Sequence, residues 1–170
     1  MRFIFIFISL FYFQAYTQEH HSIPNKRNKL ISFDISYSHL NYELFHGLTY
    51  TQHFSKFSPS VGIKTAVKSL YSSEKIFPEI NLAICYRLIN KKSFQFGPCL
   101  QYINRNQLVK SWHHYNEILL GLQLFLGEQI QFTNSFGIGP FWETFKTEQN
   151  KIYSLRSTNF NLKIGVAYAF

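Results

Sequence analysis

Seven charged side chains are the first candidates for chemistry, because each stands at a regular position within an apolar stretch. They are Asp34, Lys64, Lys68, Arg87, Glu117, Glu143 and Lys163. Each alternates with apolar neighbours in a period of two, which assigns it to the less apolar face of a β-strand. Charges that share a tight interior must be paired. We therefore predict a network of salt bridges and hydrogen bonds that plugs this interior. The alternative is a narrow gated pore lined by the same groups.

The two cysteines, Cys85 and Cys99, have the same parity as these charges. A three-residue loop within the tight polar turn at residues 90–93 would place 90 opposite 94 and 85 opposite 99. An exported protein meets an oxidising environment, in which such a pair can form a disulfide. On the loop-entropy model, the bond would contribute up to about 3 kcal/mol. The alternative is a pair of buried thiols.

The elements that must position these groups are β-strands. From residue 30 onward the period of two recurs eight times, over residues 30–39, 43–54, 60–71, 77–89, 94–104, 115–126, 129–143 and 159–170. Pro98 falls inside the fifth segment, where we expect a local bulge or weak pairing because proline lacks the N–H that a ladder needs. Connections after the second, fourth and sixth segments are short. Two of the others, residues 105–114 and 144–158, are predicted to be long loops.

The closing segment shows the two faces most clearly. One face carries Phe160, Leu162, Ile164, Val166, Tyr168 and Phe170, and the other carries Asn161, Lys163, Gly165, Ala167 and Ala169. Small residues recur on the second face of the other segments, which suits the crowded interior of an eight-stranded barrel. The apolar face forms a band suited to lipid. The sequence therefore predicts an all-β fold, an eight-stranded antiparallel up-and-down transmembrane β-barrel over residues 30–170. A soluble secreted lipocalin-like barrel, with the faces reversed, is the alternative.

The first 17 residues have the parts of a secretory signal peptide. Arg2 precedes a short apolar core at residues 3–13, and Ala15 and Thr17 supply the small exit positions. We predict cleavage after Thr17 and a flexible polar arm over residues 18–29. The formal net charge is +8, which in other settings indicates nucleic-acid binding. An exported protein rarely meets nucleic acid, so we expect no such partner.

A final strand that ends in an aromatic residue resembles the closing strand of Gram-negative outer-membrane β-barrels. The mature chain as a whole is similar to the small eight-stranded members, those of the outer-membrane protein A and X type and of the PorT type. The resemblance implies an outer-membrane location with both termini in the periplasm. It implies that the barrel-assembly machinery reads the apolar face of the closing strand as an assembly signal. Outer-membrane lipid and lipopolysaccharide are the other implied partners, and we expect a monomer. The resemblance is architectural and carries no functional residues over.

The histidines are the candidates for an enzyme. His39 and His46 flank the first external loop, where a lipid-modifying hydrolase could act on the outer leaflet. Such an enzyme needs a nucleophile within hydrogen-bond reach, and the nearest, Ser38, has inward parity. The stretch His53-Phe54-Ser55 superficially resembles the His-x-Ser of lipid A deacylase barrels, but it falls at the periplasmic end. We therefore predict no catalytic, cofactor-binding or metal site and no cofactor. His20-His21, without a third ligand, is a weak metal signal.

The function that the sequence predicts is that of a non-enzymatic integral outer-membrane protein of the cell envelope. It would act in envelope integrity or in surface interaction through its external loops. The first alternative is a narrow gated pore or a barrel that binds a small ligand. The lipid-modifying hydrolase and the soluble secreted barrel are further alternatives.

Overall fold

The computed structural model describes residues 28–39, 43–68, 78–107, 113–146 and 151–170, without the side chains at positions 43, 67, 68, 107 and 113. The predicted signal peptide, most of the predicted arm and the centres of four connections lie outside these residues. The strands are β1 (Lys29–Ser38), β2 (Glu43–Gln52), β3 (Phe57–Lys68), β4 (Pro78–Tyr86), β5 (Ile89–Lys91), β6 (Phe94–Gln107), β7 (His113–Gly127), β8 (Ile130–Lys146) and β9 (Ile152–Ala169). Within these ranges, no helix is long and apolar enough to cross a membrane.

The strands form one closed antiparallel sheet. Each long strand pairs with its neighbours in sequence, β9 pairs back onto β1, and β4 pairs with β6. The three-residue β5 continues the path of β4 along β6, so the barrel has eight staves. The predicted fold class, an eight-stranded antiparallel β-barrel, is confirmed. We call the end with the connections β2–β3, β5–β6 and β7–β8 the turn end, and the opposite end the loop end.

The sheet is irregular where β4 gives way to β5. The hairpin turns at two residues, so that Asn90 pairs with Gln95; the predicted pairing of 90 with 94 is wrong. Cys85 nevertheless pairs with Cys99 as predicted. One extra residue between Cys85 and β5 forms a bulge opposite Pro98 and corrects the register. This is the bulge that the proline predicts, since proline cannot donate to the ladder.

The two faces of the barrel differ in polarity. Most of the buried side chains point inward and are polar or charged, among them Asp34 and Glu117, which are fully buried. The outward side chains of the same strands are apolar and exposed, with Leu120 at 67% and Phe132 at 66%. A soluble barrel would show the opposite arrangement. The exposed apolar belt and a closed sheet without free edges are what a barrel in a hydrocarbon environment requires.

The predicted long loop at residues 144–158 is wrong. β8 continues to Lys146 and β9 begins at Ile152, and the two strands pair along this whole length. Pairing of β9 with β1 ends earlier, at Ser38 and Asn161, so the β8–β9 hairpin stands above the rim of the barrel. Residues 151–158 are exposed on both faces. The sequence does not alternate clearly there because water, rather than lipid, faces both sides.

Smaller corrections concern the other strand ends. β3 begins at Phe57 and not at residue 60, and β6 includes residues 105–107, which were assigned to a loop. The alternation over residues 43–54 predicts Phe54 on the lipid face at the periplasmic edge, but it is buried in the β2–β3 turn. Aromatic residues near strand ends often line the membrane interface, which predicts Tyr115 on the outside at the loop end. Instead it is buried, and its ring stacks on the buried Phe141. In both cases the packed interior reaches closer to the end of the barrel than the alternation of the sequence indicates.

The belt can be tested with two equally exposed apolar residues. Leu120, in the belt, and Ile152, on the hairpin above the rim, are both 67% exposed. We expect Leu120→Lys to destabilise the folded barrel in lipid by about 2–4 kcal/mol, and Ile152→Lys to have little effect. Urea unfolding of the refolded protein in lipid vesicles measures both. Equal effects of the two substitutions would show that the belt does not face hydrocarbon.

Candidate functional site

An ionic cluster fills the interior near the loop end. Glu79 lies between two bases: its Oε1 is 3.6 Å from Lys64 Nζ, and its Oε2 accepts a hydrogen bond from Arg105 Nε at 2.8 Å. Lys64 also donates to Ser36 Oγ at 2.9 Å. All these side chains are buried. In such surroundings each charge needs its partner, because removal of one would leave another buried and uncompensated.

Aromatic rings enclose the Arg105 guanidinium. Its centre lies 4.2 Å from the centroid of Phe45 and 4.5 Å from that of Tyr115. Tyr115 in turn stacks on Phe141, with the ring centroids 5.4 Å apart. A planar cation between two ring faces is favourable when it is shielded from water. The interior near the loop end is therefore packed rather than open.

Two further carboxylates are held by neutral donors. Glu117 accepts hydrogen bonds from Asn159 Nδ2 at 2.8 Å and from the Tyr115 hydroxyl at 3.1 Å. Lower in the barrel, Asp34 accepts from the hydroxyls of Thr49 and Thr133.

Gly165 leaves the room that the Asp34 carboxylate occupies. A Cβ at Gly165 would overlap both the Asp34 carboxylate and the Thr133 hydroxyl. The small residues of the closing strand thus make space for polar side chains from the neighbouring strands.

The structure places five of the seven predicted charges in the interior as buried groups: Asp34, Lys64, Arg87, Glu117 and Lys163. Glu143 is half-buried near the loop end, and the side chain of Lys68 lies outside the described part of the chain. The pattern missed Glu79 and Arg105. Both have inward parity, but Glu79 precedes the first clearly alternating residue of its strand, and Arg105 follows the last one. If the alternation is continued one or two residues beyond these ends, it assigns both side chains to the inward face.

Cys85 and Cys99 face each other across β4 and β6 in the interior. The structure joins them by a disulfide, with the Cα atoms 4.0 Å apart and both side chains buried. The bond lies just above the bulge and links the strands where the ladder is about to shift. It closes a short loop, since the sequence separation is 14.

A second polar cluster lies at the turn end, around Arg87 and His53. Arg87 donates to Asn90 Oδ1 at 3.2 Å, to Gln95 Oε1 at 3.1 Å and to the carbonyl of Ser55. His53 Nδ1 lies 2.8 Å from Ser58 Oγ, and its ring meets the edge of Phe125. Burial, with a smaller contribution from the Arg87 charge, lowers the pKa of His53 to about 3. Burial also lowers the pKa of Arg87 to about 10.

His46 and His53 are not arranged for catalysis. His46 lies half-buried on the outer face of the barrel, and the centroids of its ring and of the Phe33 ring are 6.2 Å apart. Ser38 points inward, is fully buried and accepts a hydrogen bond from Asn159, so it cannot serve an outer-leaflet enzyme. His53 contacts Ser58 rather than Ser55, and the Ser58 side chain is fully buried. A base beside a hydroxyl is the pattern of an activated nucleophile, but the Ser58 side chain is fully buried, so its hydroxyl is not open to a substrate.

Three solved structures are similar to this chain to different degrees. The outer membrane protease OmpT from Escherichia coli has a TM-score of 0.51 at 7% identity, over 88% of this chain and 99% of that chain. Neisserial surface protein A has a TM-score of 0.46 at 13% identity, over 84% and 95%. A major outer membrane protein from Thermus thermophilus has a TM-score of 0.37 at 10% identity, over 84% and 99%. No protein-family model and no curated protein matches the chain.

The chain has the fold of an outer-membrane β-barrel. The likeness to OmpT supports this fold, and at 7% identity it carries no activity over. The barrel differs from an open channel in its interior, where the described inward side chains are almost all buried. Chemically, the described interior holds paired charges among packed side chains, which is the arrangement of a filled barrel.

The pKa of His53 predicts a pH dependence of stability. The folded protein keeps this imidazole neutral down to about pH 3, whereas the unfolded chain protonates it below about pH 6.5. The folded pKa is depressed, so stability is lost as the pH falls from about 6.5 towards 3. At about pH 5 the loss from this residue is on the order of 2 kcal/mol. Urea unfolding in detergent micelles at about pH 7.5 and about pH 5, on either side of the unfolded pKa, measures it.

The matched variant is His53→Asn, whose amide can still bond to Ser58 but does not titrate. The carboxylates titrate alike in the wild type and in the variant, so their effect on stability cancels when the two proteins are compared. We expect the variant to lose less stability between the two pH values than the wild type does. Equal losses would show that His53 does not stay neutral in the folded state.

Proposed function

We propose that the protein is an integral outer-membrane barrel without enzymatic activity, which acts through its loop end in surface interaction or envelope integrity. The loop end faces the cell surface, and the turn end and both termini face the periplasm. A leader, residues 1–17, directs export. The single observation that supports this best is the combination of a packed interior with a hairpin that stands exposed above the rim.

The packed interior favours this function over the narrow pore. An ion that crossed the barrel would have to displace Arg105 from Glu79 and from between two aromatic rings. Both charged groups are buried and paired, so their separation would leave two uncompensated charges in the interior. Eight strands leave an interior just wide enough for side chains.

The β8–β9 hairpin supplies an accessible surface. Ile152, Tyr153 and Leu155 are exposed apolar residues on its two faces, and Tyr153 stacks on Phe145 across the hairpin with centroids 5.7 Å apart. Arg156 is exposed and pairs in register with Trp142. A mixture of aromatic, aliphatic and basic side chains suits contact with other molecules at the cell surface.

The outer membrane also supplies the remaining partners. Basic and aromatic groups on the outer face of the hairpin suit the anionic headgroups of lipopolysaccharide. The exposed face of β9, which ends at Tyr168 and Phe170, supports the role of the closing strand as a signal to the barrel-assembly machinery. Since β9 already pairs with β1 and β8 along its membrane part, the barrel needs no second copy to close, which favours a monomer.

Cysteine labelling of whole cells tests the location and the orientation. Ser154 lies on the hairpin and Ser93 in the β5–β6 turn, and both are exposed. We expect a membrane-impermeant maleimide to label Ser154→Cys on intact cells and to label Ser93→Cys only after the outer membrane is opened. The native cysteines do not interfere, because they are bonded and buried. Labelling of Ser93→Cys alone on intact cells would reverse the orientation.

A double substitution tests the role of the hairpin. Tyr153→Ser with Leu155→Ser removes two exposed apolar groups without touching the interior, so we expect a barrel that folds and still shows a heat-modifiable band. Cells that rely on this protein should become more sensitive to detergent. The matched control is Ser154→Ala on the same strand. If the double variant protects cells as well as the wild type does, the hairpin is not the functional surface.

A further inference from the structure

Arg87 is a buried cation whose partners are all neutral. Only 7% of its surface is exposed, yet its guanidinium donates to two amide oxygens and one carbonyl. Among the described residues, none accepts a hydrogen bond from its Nε–H. Arginine is seldom buried without a negative partner, because its desolvation is costly.

The fully buried carboxylates of the described interior are already bonded to residues other than Arg87. Asp34 is held by two threonines, Glu79 by Lys64 and Arg105, and Glu117 by Asn159 and Tyr115. These contacts lie in the middle and near the loop end, away from the turn end. No carboxylate approaches Arg87 within ion-pair distance among the described residues, and its lowered pKa has burial as the only cause.

His53 adds a second donor to this end of the barrel. Among the described residues, the Ser58 hydroxyl is hydrogen-bonded to His53 Nδ1. If the hydroxyl donates, its proton is satisfied and Nδ1 acts as the acceptor. A neutral imidazole then carries its proton on Nε2, which is buried and has no partner in the part of the chain that the structure describes. His53 is 8% exposed, so an unpartnered N–H there is unfavourable.

The turn between β2 and β3 brings the two donors into one neighbourhood. His53 begins this turn, and the Arg87 side chain donates to the carbonyl of Ser55 within it. The Arg87 backbone N–H donates to the carbonyl of Lys56 at 2.7 Å. The Arg87 charge acts on His53 strongly enough to lower the histidine pKa. Lys56 and Asn90, at the mouth, are exposed.

We propose that the turn end of the barrel interior binds one small oxyanion, a phosphate or a carboxylate, through Arg87 Nε–H and His53 Nε2–H. The anion supplies the negative charge that the described residues do not place beside Arg87, and it accepts hydrogen bonds from both unpartnered donors. It enters from the turn end, since the ionic cluster and its aromatic rings pack the other end. The site uses neither the hairpin nor the belt, so it is independent of the proposed function.

The competing explanation is that Arg87 only holds the turn together. Ser55 has a φ of 44°, and its carbonyl accepts from both Arg87 and Asn90. A purely structural arginine would stabilise the fold without regard to the anion present. Binding therefore has to be measured directly, as well as its effect on stability.

Equilibrium dialysis of the folded mature protein in non-ionic detergent against labelled inorganic phosphate is the direct test. We expect saturable binding of one phosphate per chain, which acetate displaces at constant ionic strength and chloride displaces at least about 10-fold less well, because charge-assisted hydrogen bonds favour oxyanions. If unlabelled acetate displaces the labelled phosphate as strongly as unlabelled phosphate does, the site is assigned to carboxylates. If acetate displaces it more weakly, the site is assigned to phosphate. Absence of saturable binding, or equal displacement by chloride, overturns the proposal.

Matched variants locate the site. Arg87→Gln should weaken phosphate binding at least about 10-fold, since a charged donor is lost, whereas Lys29→Gln, which removes an exposed cation from β1, should leave it unchanged. Should Arg87→Gln fail to fold, the His53 pair decides. His53→Gln can place an amide N–H near the Nε2 position and should bind better than His53→Asn, which cannot. Equal binding by both His53 variants and the wild type would remove His53 from the site and overturn the proposal.

Discussion

Backbone pairing between β1 and β9 is the interaction on which the rest of the structure depends. It runs from Leu30 and Ala169 to Ser38 and Asn161 and turns an open sheet into a barrel. In hydrocarbon every unpaired N–H or C=O would cost several kcal/mol, so only a sheet without edges is stable there. Once the sheet is closed, the outward residues must be apolar and the inward ones must fill a narrow space. The polarity of both faces follows from this closure.

The narrow interior explains why charge and glycine occur together. Eight strands leave room for side chains but for little else, so a long side chain from one strand requires a small one opposite. Gly165 makes way for Asp34, and paired charges such as Glu79 and Arg105 replace the water that a wider barrel would contain. A packed polar interior also rigidifies the barrel, because no single group can move without leaving another unpaired.

The sequence predicted the closed barrel well, because alternation is strong wherever one face meets lipid and the other the interior. It failed where that difference ends. The hairpin at residues 151–158 has water on both sides, and Arg105 lies just beyond the last alternating residue of its strand. The pairing of Cys85 with Cys99 was predicted correctly although the turn was misjudged by one residue, because the bulge compensates. The alternation of polar and apolar residues shows which face of the barrel each side chain lies on. Bulges and turn lengths depend on backbone geometry, which that alternation does not show.

Pro98 links these local details to the chemistry of the turn end. Because it cannot donate to the ladder, the strand opposite takes up one extra residue between Cys85 and Ile89. Arg87 lies within that bulge, with its backbone tied to the β2–β3 turn and its side chain buried under it. Bulges often redirect a side chain near functional sites. Without this proline the two strands would pair without a bulge. We infer that no arginine would then be buried in an interior that does not balance its charge.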